Sequence, residues 1–305
     1  MRTSPQAHDP ILVIGASGQL GLALCQEFGS TYNVVAASRS RVDRGQHHVD
    51  LADEPGLIRL LDDVQANTIL IAAAMCHVDR CELEPKVCHS VNVTGTELVA
   101  RHASRTGALV VFFSTDHVFN GTQEVYSEDD EMAPLNVYAN SKSKAELALR
   151  RYVPDRHLIL RTSWVYGPDR QRRNFILRMV DQMGQQQTWP VPADQWGSPT
   201  YTDDLAKATR MLIKHGHTGT FHATGPEFVS RVDLAHRVCV KFGLDSSRLE
   251  PRLTETLGQA ARRPLMVRLN CQKLHEAGGN MFRDIDAGLT TLSTWTQETE
   301  DVSSE

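Results

Sequence analysis

Tyr138 and Lys142 are the two residues whose types and spacing best suit proton transfer. They lie four positions apart in residues 138–152, a segment whose Ala, Leu, Lys, Glu and Arg content favours a helix. Both side chains should therefore share one helical face. Because an ammonium group favours the phenolate form of a nearby tyrosine, we expect a lowered pKa for Tyr138. Such pairs also arise by chance on amphipathic helices, so the surrounding sequence decides what this one means.

A hydroxyl group is predicted to lie beside this pair. Residues 108–114 form a strongly β-prone run, which is followed directly by Thr115. Open α/β sheets bind their ligands at the carboxyl ends of the strands, where Thr115 would lie. We therefore predict a catalytic set of Tyr138, Lys142 and Thr115, in which Thr115 and Tyr138 hydrogen-bond the same reacting oxygen.

Three glycines near the N-terminus predict a dinucleotide site. Gly15, Gly18 and Gly21 lie between an apolar run, residues 11–15, and a helical pattern, residues 19–28. Glycines in that position allow a tight turn and a close approach by a pyrophosphate, which the N-terminus of the helix then attracts. A glycine triplet alone is weak evidence, but its place between a strand and a helix strengthens it.

The residues after the second predicted strand, 34–37, bear on the choice of dinucleotide. Sites for NAD usually place a carboxylate there, whereas this chain has Ser38, Arg39, Ser40 and Arg41. Guanidinium groups suit a 2′-phosphate, so we predict NADPH as the cofactor, with NADH as the alternative. The competing interpretation is that both arginines are solvated residues of a surface loop.

The composition is that of a soluble globular protein with no obvious nucleic-acid or membrane partner. The chain has 305 residues, 41% of them hydrophobic and 23% charged, and its formal net charge is -5. It contains no apolar run of the roughly 18 residues that span a bilayer. Its six cysteines are irregularly spaced, which indicates reduced thiols in a cytoplasmic protein.

Predicted strands and helices alternate along the first two thirds of the chain. This alternation predicts an α/β fold, a Rossmann-type doubly wound parallel sheet with a smaller, mixed C-terminal substrate domain. We place the NADP-binding domain at residues 1–165, with residues 200–222 returning to it. The substrate-binding domain would then comprise residues 166–199 and 223–305.

Three segments carry more local expectations. Residues 84–106 have a long, mixed pattern that suits one helix packing across the sheet. Residues 189–202 contain three prolines and a glycine, which is typical of a loop near a ligand. Residues 297–305 are acidic and polar, so we expect a frayed tail.

With these motifs in place, the sequence resembles the extended short-chain dehydrogenase/reductases and, within them, the dTDP-4-dehydrorhamnose reductase family. The resemblance runs from about residue 11 to residue 278 and includes the Ser-Thr-Asp-His-Val-Phe-Asn-Gly sequence of residues 114–121. The other matching positions are residues 15–21, 72–74, 78–79, 84–85, 91–92, 134–138, 164–167, 174–175, 194–195, 199–200 and 263–264, with Glu82, Lys142, Arg161, Gly197 and Leu269.

The resemblance implies reduction of the 4-keto group of a nucleotide-linked 6-deoxyhexulose. In the implied reaction NADPH gives hydride to C4 of the sugar, and Tyr138 protonates the oxygen. Lys142 would lower the pKa of Tyr138 and hold the nicotinamide ribose, while Thr115 would orient the carbonyl. Trp164 would pack on the sugar, and Asn174 with residues 194–200 would line the nucleotide side.

The resemblance also implies two sets of binding residues. The cofactor would be bound by Gly15, Ser17, Gly18, Gln19, Leu20, Gly21, Ser38, Arg39, Asp50, Leu51, Ala72, Ala73, Ala74, Asn92, Ser114, Tyr138 and Lys142. The sugar nucleotide would be bound by Asp116, His117, Trp164, Asn174, Gln195, Pro199 and Thr200.

The chain departs from the family pattern at two places near the expected sugar site. His117 stands where the family usually has Tyr, and Met75, Cys76 and His77 replace a usual Thr, which leaves the identity of the sugar open. Carboxylates that bind metal at a dimer contact in some members have no clear counterpart. We therefore predict no metal and not that dimer, although a homodimer of another kind is compatible with the sequence.

Two other functions compete with reduction. A nucleotide-sugar 4,6-dehydratase or epimerase shares the fold, but a dehydratase generally has Asp-Glu after the strand-end Thr, and here Asp116 is followed by His117. The regulatory β subunit of methionine adenosyltransferase resembles the same family and can keep the Tyr-Lys pair without catalysis. Residues 219–222 and 263–271 also resemble that subunit, whereas Trp164 favours the reductase.

Overall fold

The computed structural model describes residues 9–39, 46–185 and 187–304. The first half of the chain alternates strands and helices. In order these are β1 (Pro10–Ile14), α1 (Gln19–Gly29), β2 (Asn33–Ser38), β3 (His47–His48), α2 (Glu54–Val64), β4 (Thr68–Ile71), α3 (Val78–Leu83), α4 (Pro85–His89), α5 (Gly95–Thr106), β5 (Leu109–Thr115), α6 (Val137–Tyr152) and β6 (His157–Thr162).

The second half contains shorter strands. In order these elements are β7 (Val165–Tyr166), α7 (Phe175–Gly184), β8 (Trp189–Pro192), β9 (Trp196–Gly197), β10 (Thr200–Tyr201), α8 (Thr202–Lys214), β11 (Gly219–His222), β12 (Val229–Ser230), α9 (Arg231–Phe242), β13 (Leu249–Arg252), α10 (Gln272–Glu276) and α11 (Ile285–Ser304). Among the residues that the structure describes, no helix combines the length and the apolar character needed to cross a bilayer.

The central sheet has seven strands in the order β11-β6-β5-β4-β1-β2-β3, all of them parallel. Its two faces bury alternate residues of each strand, as the two-residue period of a strand requires. Leu12 and Ile14 pack against α2, α5 and α6, whereas Ile11 and Val13 pack against α1 and α8. The predicted Rossmann-type doubly wound sheet is therefore confirmed.

A second core joins the elements of the C-terminal part. Side chains of α7, α9 and α11 pack with Trp189 and Val191 of β8. Helix α8 and strand β11 pack instead on the central sheet, whereas β10 pairs with β7 outside it. The division into domains, including the return of residues 200–222 to the NADP-binding domain, stays a prediction.

The long helix expected over residues 84–106 is broken into several pieces. Pro85 starts α4, because a proline has no N–H to donate into the preceding helix α3. A π-helical turn, Ser90–Thr94, then joins α4 to α5. The buried Asn92 in this turn hydrogen-bonds Met75, so the irregular turn reaches toward the carboxyl edge of the sheet.

Two further segments are more regular than expected. Residues 189–202 hold β8, β9 and β10 rather than a loop, because β8 pairs in parallel with β13 and alternates buried Trp189 and Val191 with exposed Pro190. Residues 297–304 of the tail expected to fray continue helix α11, whose preceding part packs on the second core through Leu289 and Leu292. For residues 189–202 tertiary packing overrides the local composition.

A buried ion pair joins α6 to β6. Arg161 donates two hydrogen bonds to Glu146, from Nη2 at 2.8 Å and from Nε at 3.1 Å, and both side chains are almost inaccessible to solvent. The hydroxyl of Ser114 on β5 also donates to Glu146, at 2.6 Å. Because these groups are buried, each depends on its partner for compensation.

We expect Glu146→Gln to destabilise the fold strongly, since it leaves the Arg161 guanidinium buried without its carboxylate. The free energy of unfolding, measured by urea denaturation, should fall by about 3 kcal/mol. Glu97→Gln is the matched control, because Glu97 pairs with the exposed Arg101 and its loss should cost about 1 kcal/mol or less. Equal effects of the two substitutions would contradict the assignment of Glu146 as a buried anchor.

Candidate functional site

The structure brings the predicted catalytic residues Tyr138, Lys142 and Thr115 together. Helix α6 starts one residue before Tyr138, where the Asn136 side chain accepts a hydrogen bond from the Ala139 N–H at 2.8 Å and so caps the helix. The Tyr138 phenol lies near the hydroxyl of Thr115, the last residue of β5, and that hydroxyl donates to the Asp116 carboxylate at 3.0 Å. Phenol and hydroxyl therefore lie where one oxygen atom of a ligand would meet both.

Lys142 lies one helical turn after Tyr138 and is held by strand β5. Its ammonium group donates a hydrogen bond to the Phe113 carbonyl oxygen at 2.6 Å and lies 3.8 Å from the centre of the Phe112 ring. Burial lowers the pKa of Lys142 to about 8. At neutral pH the group is still charged, and it is easier to deprotonate than an exposed lysine.

The expected lowering of the Tyr138 pKa is wrong for this structure. Burial raises the pKa of Tyr138 well above its ordinary value, and the nearby Cys76 and Asp116 add to the rise. The nearby Thr115 hydroxyl lowers the pKa of Tyr138 but is a weaker influence than burial. Tyr138 is therefore protonated at neutral pH, which suits a proton donor rather than a base.

The glycine turn between β1 and α1 has the close packing that a pyrophosphate site needs. Gly15 adopts a φ of +94°, and a Cβ there would lie 2.5 Å from the Ala73 backbone nitrogen at the end of β4. A Cβ at Gly21 would overlap the Gly15 carbonyl oxygen. Gly18 caps α1 without any side-chain hydrogen bond, so the first N–H groups of the helix remain open to a ligand.

The remaining predicted cofactor residues surround this turn. Arg39 directly follows β2; its side chain is 68% exposed and lies 4.0 Å from Asp50. Arg39 is thus accessible to a phosphate beside the turn, whereas Ser40 and Arg41 lie outside the described residues. The other predicted cofactor residues lie at the same edge, in the turn, in the first turn of α1, at the end of β2 or shortly after β3 and β4; they are Ser17, Leu20, Ser38, Leu51, Ala72 and Ala74.

Two predicted cofactor residues have structural partners for their side chains. Asn92 accepts a hydrogen bond from the Met75 N–H at 2.8 Å and donates to the Ser141 hydroxyl at 2.9 Å, so it joins the loop after β4 to α6. The Ser114 hydroxyl is bound to Glu146. The side chains of Asn92 and Ser114 therefore hydrogen-bond other protein groups and hold the elements of the site together.

Gln19 links the glycine turn to the second part of the chain. Its amide donates to the Val165 carbonyl oxygen at 3.2 Å, and its oxygen accepts from the Asn174 amide at 3.1 Å. The Asn174 oxygen in turn accepts from the Leu177 N–H and caps α7. Asn174 thus lies beside the cofactor turn and holds α7 there.

A cavity of about 190 Å³ lies beside the strand end that carries Thr115. Four of the predicted substrate residues line it, namely Asp116, His117, Trp164 and Gln195. Trp196, which also lines the cavity, belongs to the segment 194–200 that the resemblance places beside the nucleotide. Val78, Arg263 and Pro264 are matching positions of the family without an assigned role, whereas sequence reasoning did not select Arg231 and Val267.

Pro199 and Thr200 lie behind the cavity wall. The Thr200 hydroxyl donates to the Ser198 carbonyl oxygen at 3.1 Å and accepts from the Gly225 N–H at 3.2 Å. The carbonyl group of Pro199 packs so closely on Gly225 that a Cβ there would overlap it. Both residues fix the wall, and the structure does not bring them to the cavity surface.

Trp164 is held rigidly in the cavity wall. Its φ of +44° lies in the left-handed region, which a bulky residue adopts only when its surroundings enforce it. The Arg231 guanidinium lies 3.3 Å from the ring centre on one side. A Cβ at Gly197 would lie 2.5 Å from the ring atom Cε2, so only glycine leaves room for the indole.

The cavity carries more positive than negative charge. Arg263 is paired with Asp79 through two hydrogen bonds of 2.8 and 3.0 Å, whereas no carboxylate of the described residues forms an ion pair with Arg231. Burial lowers the pKa of Arg231 to about 9, so the group is still charged at neutral pH. The sequence signal for Arg231 is a cation directly after the helix cap Ser230, where the helix dipole disfavours positive charge.

The cysteines and histidines near the site do not form a metal centre in the described part of the chain. Cys88 is buried and close to the Asn92 amide, at 3.4 Å, and to the Ser141 hydroxyl, at 3.5 Å. A hydrogen bond with Cys81 is the largest influence that lowers the pKa of Cys88, to about 7, and the contacts with Ser141 and Asn92 lower it further against the opposing effect of burial. No group of three or more His, Cys, Asp or Glu side chains there is arranged to hold a metal ion.

The parallel sheet, its glycine turn and the Tyr138 helix beside Thr115 place this chain among the extended short-chain dehydrogenase/reductases. A family model for the RmlD substrate binding domain matches residues 9–297. The chain therefore belongs to the RmlD substrate binding domain family.

Individual relatives agree with this membership. The dTDP-4-dehydrorhamnose reductase of Salmonella typhimurium is 33% identical over 276 residues, which are 86% of this chain and 90% of that protein. A crystal structure of dTDP-4-dehydrorhamnose reductase from Bacillus anthracis in complex with NADP superposes with a TM-score of 0.84 at 28% identity, covering 93% of this chain and 98% of that one. Methionine adenosyltransferase 2 subunit beta of Rattus norvegicus is 30% identical over 280 residues, 88% of this chain and 82% of that protein.

Proposed function

We propose that this protein uses NADPH to reduce the 4-keto group of a nucleotide-linked 6-deoxyhexulose. The observation that carries the proposal is the protonated Tyr138 phenol near the Thr115 hydroxyl, beside a cavity that Trp164 and two arginines line. A donor hydroxyl pair of this kind stabilises the oxygen of a ketone as it gains negative charge. The names of the relatives in the same family support the same substrate class.

The residues present fit NADPH. The backbone around Gly15, Gly18 and Gly21 leaves a cradle that a Cβ would fill, and the open N-terminus of α1 faces it. Arg39 lies at the end of β2, where it would pair with the 2′-phosphate. When bound, NADPH supplies the hydride for the reduction.

The side chains of this chain would divide the remaining work. Tyr138 donates its proton to the ketone oxygen, and the Thr115 hydroxyl orients that oxygen. Lys142, held by the Phe113 carbonyl oxygen, places a positive charge one turn from Tyr138 and stabilises the phenolate that the proton transfer leaves. No residue needs to move far, because strand β5 and helix α6 already hold all three.

The cavity explains how a sugar nucleotide would be held. The Trp164 ring, fixed by Arg231 and Gly197, offers a flat apolar wall on which a sugar ring packs. The Arg231 and Arg263 guanidinium groups would pair with the diphosphate of the substrate. All six cysteines are free thiols, which is consistent with a cytoplasmic location as part of this proposal. A homodimer also stays a prediction.

A second candidate is a regulatory subunit without catalysis, which the identity with methionine adenosyltransferase 2 subunit beta favours. Co-purification with a methionine adenosyltransferase would support it. The assembled Tyr138, Thr115 and Trp164 favour catalysis, since binding alone does not require a phenol and a hydroxyl to converge. A dehydratase is disfavoured because the imidazole of His117 lies where that reaction needs a carboxylate.

Purified protein should oxidise NADPH in the presence of at least one member of a panel of nucleotide 4-keto-6-deoxysugars. Tyr138→Phe removes the proton donor, so kcat should fall by about 10²- to 10⁴-fold. Tyr152→Phe, at the other end of α6, is the matched control and should keep the wild-type rate. Absence of turnover across the panel, or unchanged turnover in the Tyr138 variant, would refute the proposal.

Gly21→Ala should weaken NADPH binding, since the added Cβ overlaps the Gly15 carbonyl oxygen and forces the turn open. We expect the Kd from fluorescence titration to rise about tenfold or more, which corresponds to roughly 1.4 kcal/mol. Gly29→Ala, at the end of the same helix with no atom near its Cβ, should bind NADPH as the wild type does. A Gly21→Ala protein with wild-type affinity would place the cofactor elsewhere.

The value of kcat/KM for NADPH, which reports on the free enzyme, should fall as the pH rises through about 8. Below that pH Lys142 is charged, and above it the charge is lost, because burial lowers the pKa of Lys142 to about 8. Tyr138 stays protonated over this range, so its ionisation should not lower kcat/KM at a lower pH than that of Lys142. Lys142→Arg keeps its charge, so its alkaline decline should move to higher pH. A wild-type profile that stays level well above pH 8 would contradict this role of Lys142.

A further inference from the structure

His117 has an imidazole nitrogen that no protein group satisfies. The side chain lines the cavity, and its Nδ1 atom is buried without a hydrogen-bond partner among the described residues. Leaving a buried polar atom unpaired destabilises a fold. Because this unpaired nitrogen belongs to a residue that lines a cavity, we infer that a bound ligand provides its hydrogen-bond partner.

The backbone fixes this imidazole close to the proposed proton donor. His117 belongs to the short 3₁₀ turn Asp116–Val118, and its N–H donates to the Thr115 hydroxyl at 3.2 Å. The imidazole and the Tyr138 phenol ring meet edge to face, with 6.1 Å between ring centres. A ketone oxygen held by Thr115 and Tyr138 would therefore leave a carbon next to the ketone within reach of the imidazole.

The charges around His117 favour its neutral form. Burial is the strongest influence and lowers the pKa of His117. The Asp116 carboxylate, in the same turn, raises the pKa of His117. The guanidinium groups of Arg263 and of Arg231, at the start of α9, lower it further. Tyr138 faces the ring from α6 and is protonated. The imidazole is therefore uncharged at neutral pH and able to accept a proton.

We propose that this site also enolises its keto-sugar, with His117 exchanging a proton on a ring carbon next to the ketone. The activity rests on the proposed reduction site, because Thr115 and Tyr138 must hold the same oxygen. His117 takes the proton, the electrons of the C–H bond form a C=C bond, and the carbonyl electrons move to the oxygen, which Tyr138 protonates. The reverse steps return a proton from the imidazolium, so no oxidant or reductant is consumed.

The test uses the protein saturated with NADP⁺, which cannot give hydride, and a thymidine-diphosphate-linked 4-keto-6-deoxyhexose in D₂O. Mass spectrometry should show one deuterium gained per exchanged position, faster than in a blank without protein. The exchange rate should rise with pH through the pKa of His117 and then level off, because the neutral imidazole is the active form.

His117→Asn keeps a polar side chain of similar reach but cannot act as a base. Its exchange rate should fall about a hundredfold or more, and by at least tenfold more than its rate of NADPH-dependent reduction. Its affinity for NADP⁺ should match that of the wild type, which shows that the variant is folded. Thr202→Ser, a substitution outside the cavity, is the control for effects of mutagenesis and purification on the exchange rate.

Three results would overturn the inference. One is wild-type protein that reduces the keto-sugar but exchanges no deuterium above the blank. Another is His117→Asn with an undiminished exchange rate, and the third is a loss of both activities in the same proportion, which would make His117 a positioning residue only. A wild-type protein that neither reduces nor exchanges any keto-sugar would instead refute the proposed function, and this inference with it.

Discussion

A hydrogen bond from the buried Lys142 ammonium to the Phe113 carbonyl oxygen fixes helix α6 on strand β5. The rest of the site depends on this contact, because Tyr138 lies one turn before Lys142 and Thr115 lies two residues beyond Phe113. With the helix and the strand held in register, phenol and hydroxyl have to meet. A buried ammonium without this acceptor would be costly, so the helix cannot slide without losing the bond.

The supporting residues extend the same constraint to neighbouring strands. Asn92 ties the loop after β4 to Ser141 on α6, and Glu146 ties Arg161 of β6 to the same helix. Because both ties are buried, the edge of the sheet is rigid on the side that faces the ligand. Rigid placement matters for catalysis, since proton transfer is efficient only when donor and acceptor are already within hydrogen-bonding distance.

The sequence is sufficient to predict features that depend on local spacing. The glycine turn, the Tyr138 and Lys142 helix and the Thr115 strand end all follow from residues that are close in the chain. The sequence does not predict features that depend on residues far apart in the chain. Arg231 reaches the cavity only because α9 packs behind Trp164. Residues 189–202 form strands only because β13 pairs with β8, and the sign of the Tyr138 pKa shift depends on burial that no local motif encodes.

That burial also has a consequence for the direction of the chemistry. A phenol whose pKa is raised keeps its proton at neutral pH, and a ketone that gains hydride needs a proton on its oxygen. A tyrosine acting on an alcohol would instead have to begin as phenolate, which the same burial disfavours. At neutral pH the free protein thus holds the proton that reduction of a ketone consumes, and the burial of Tyr138 favours that form.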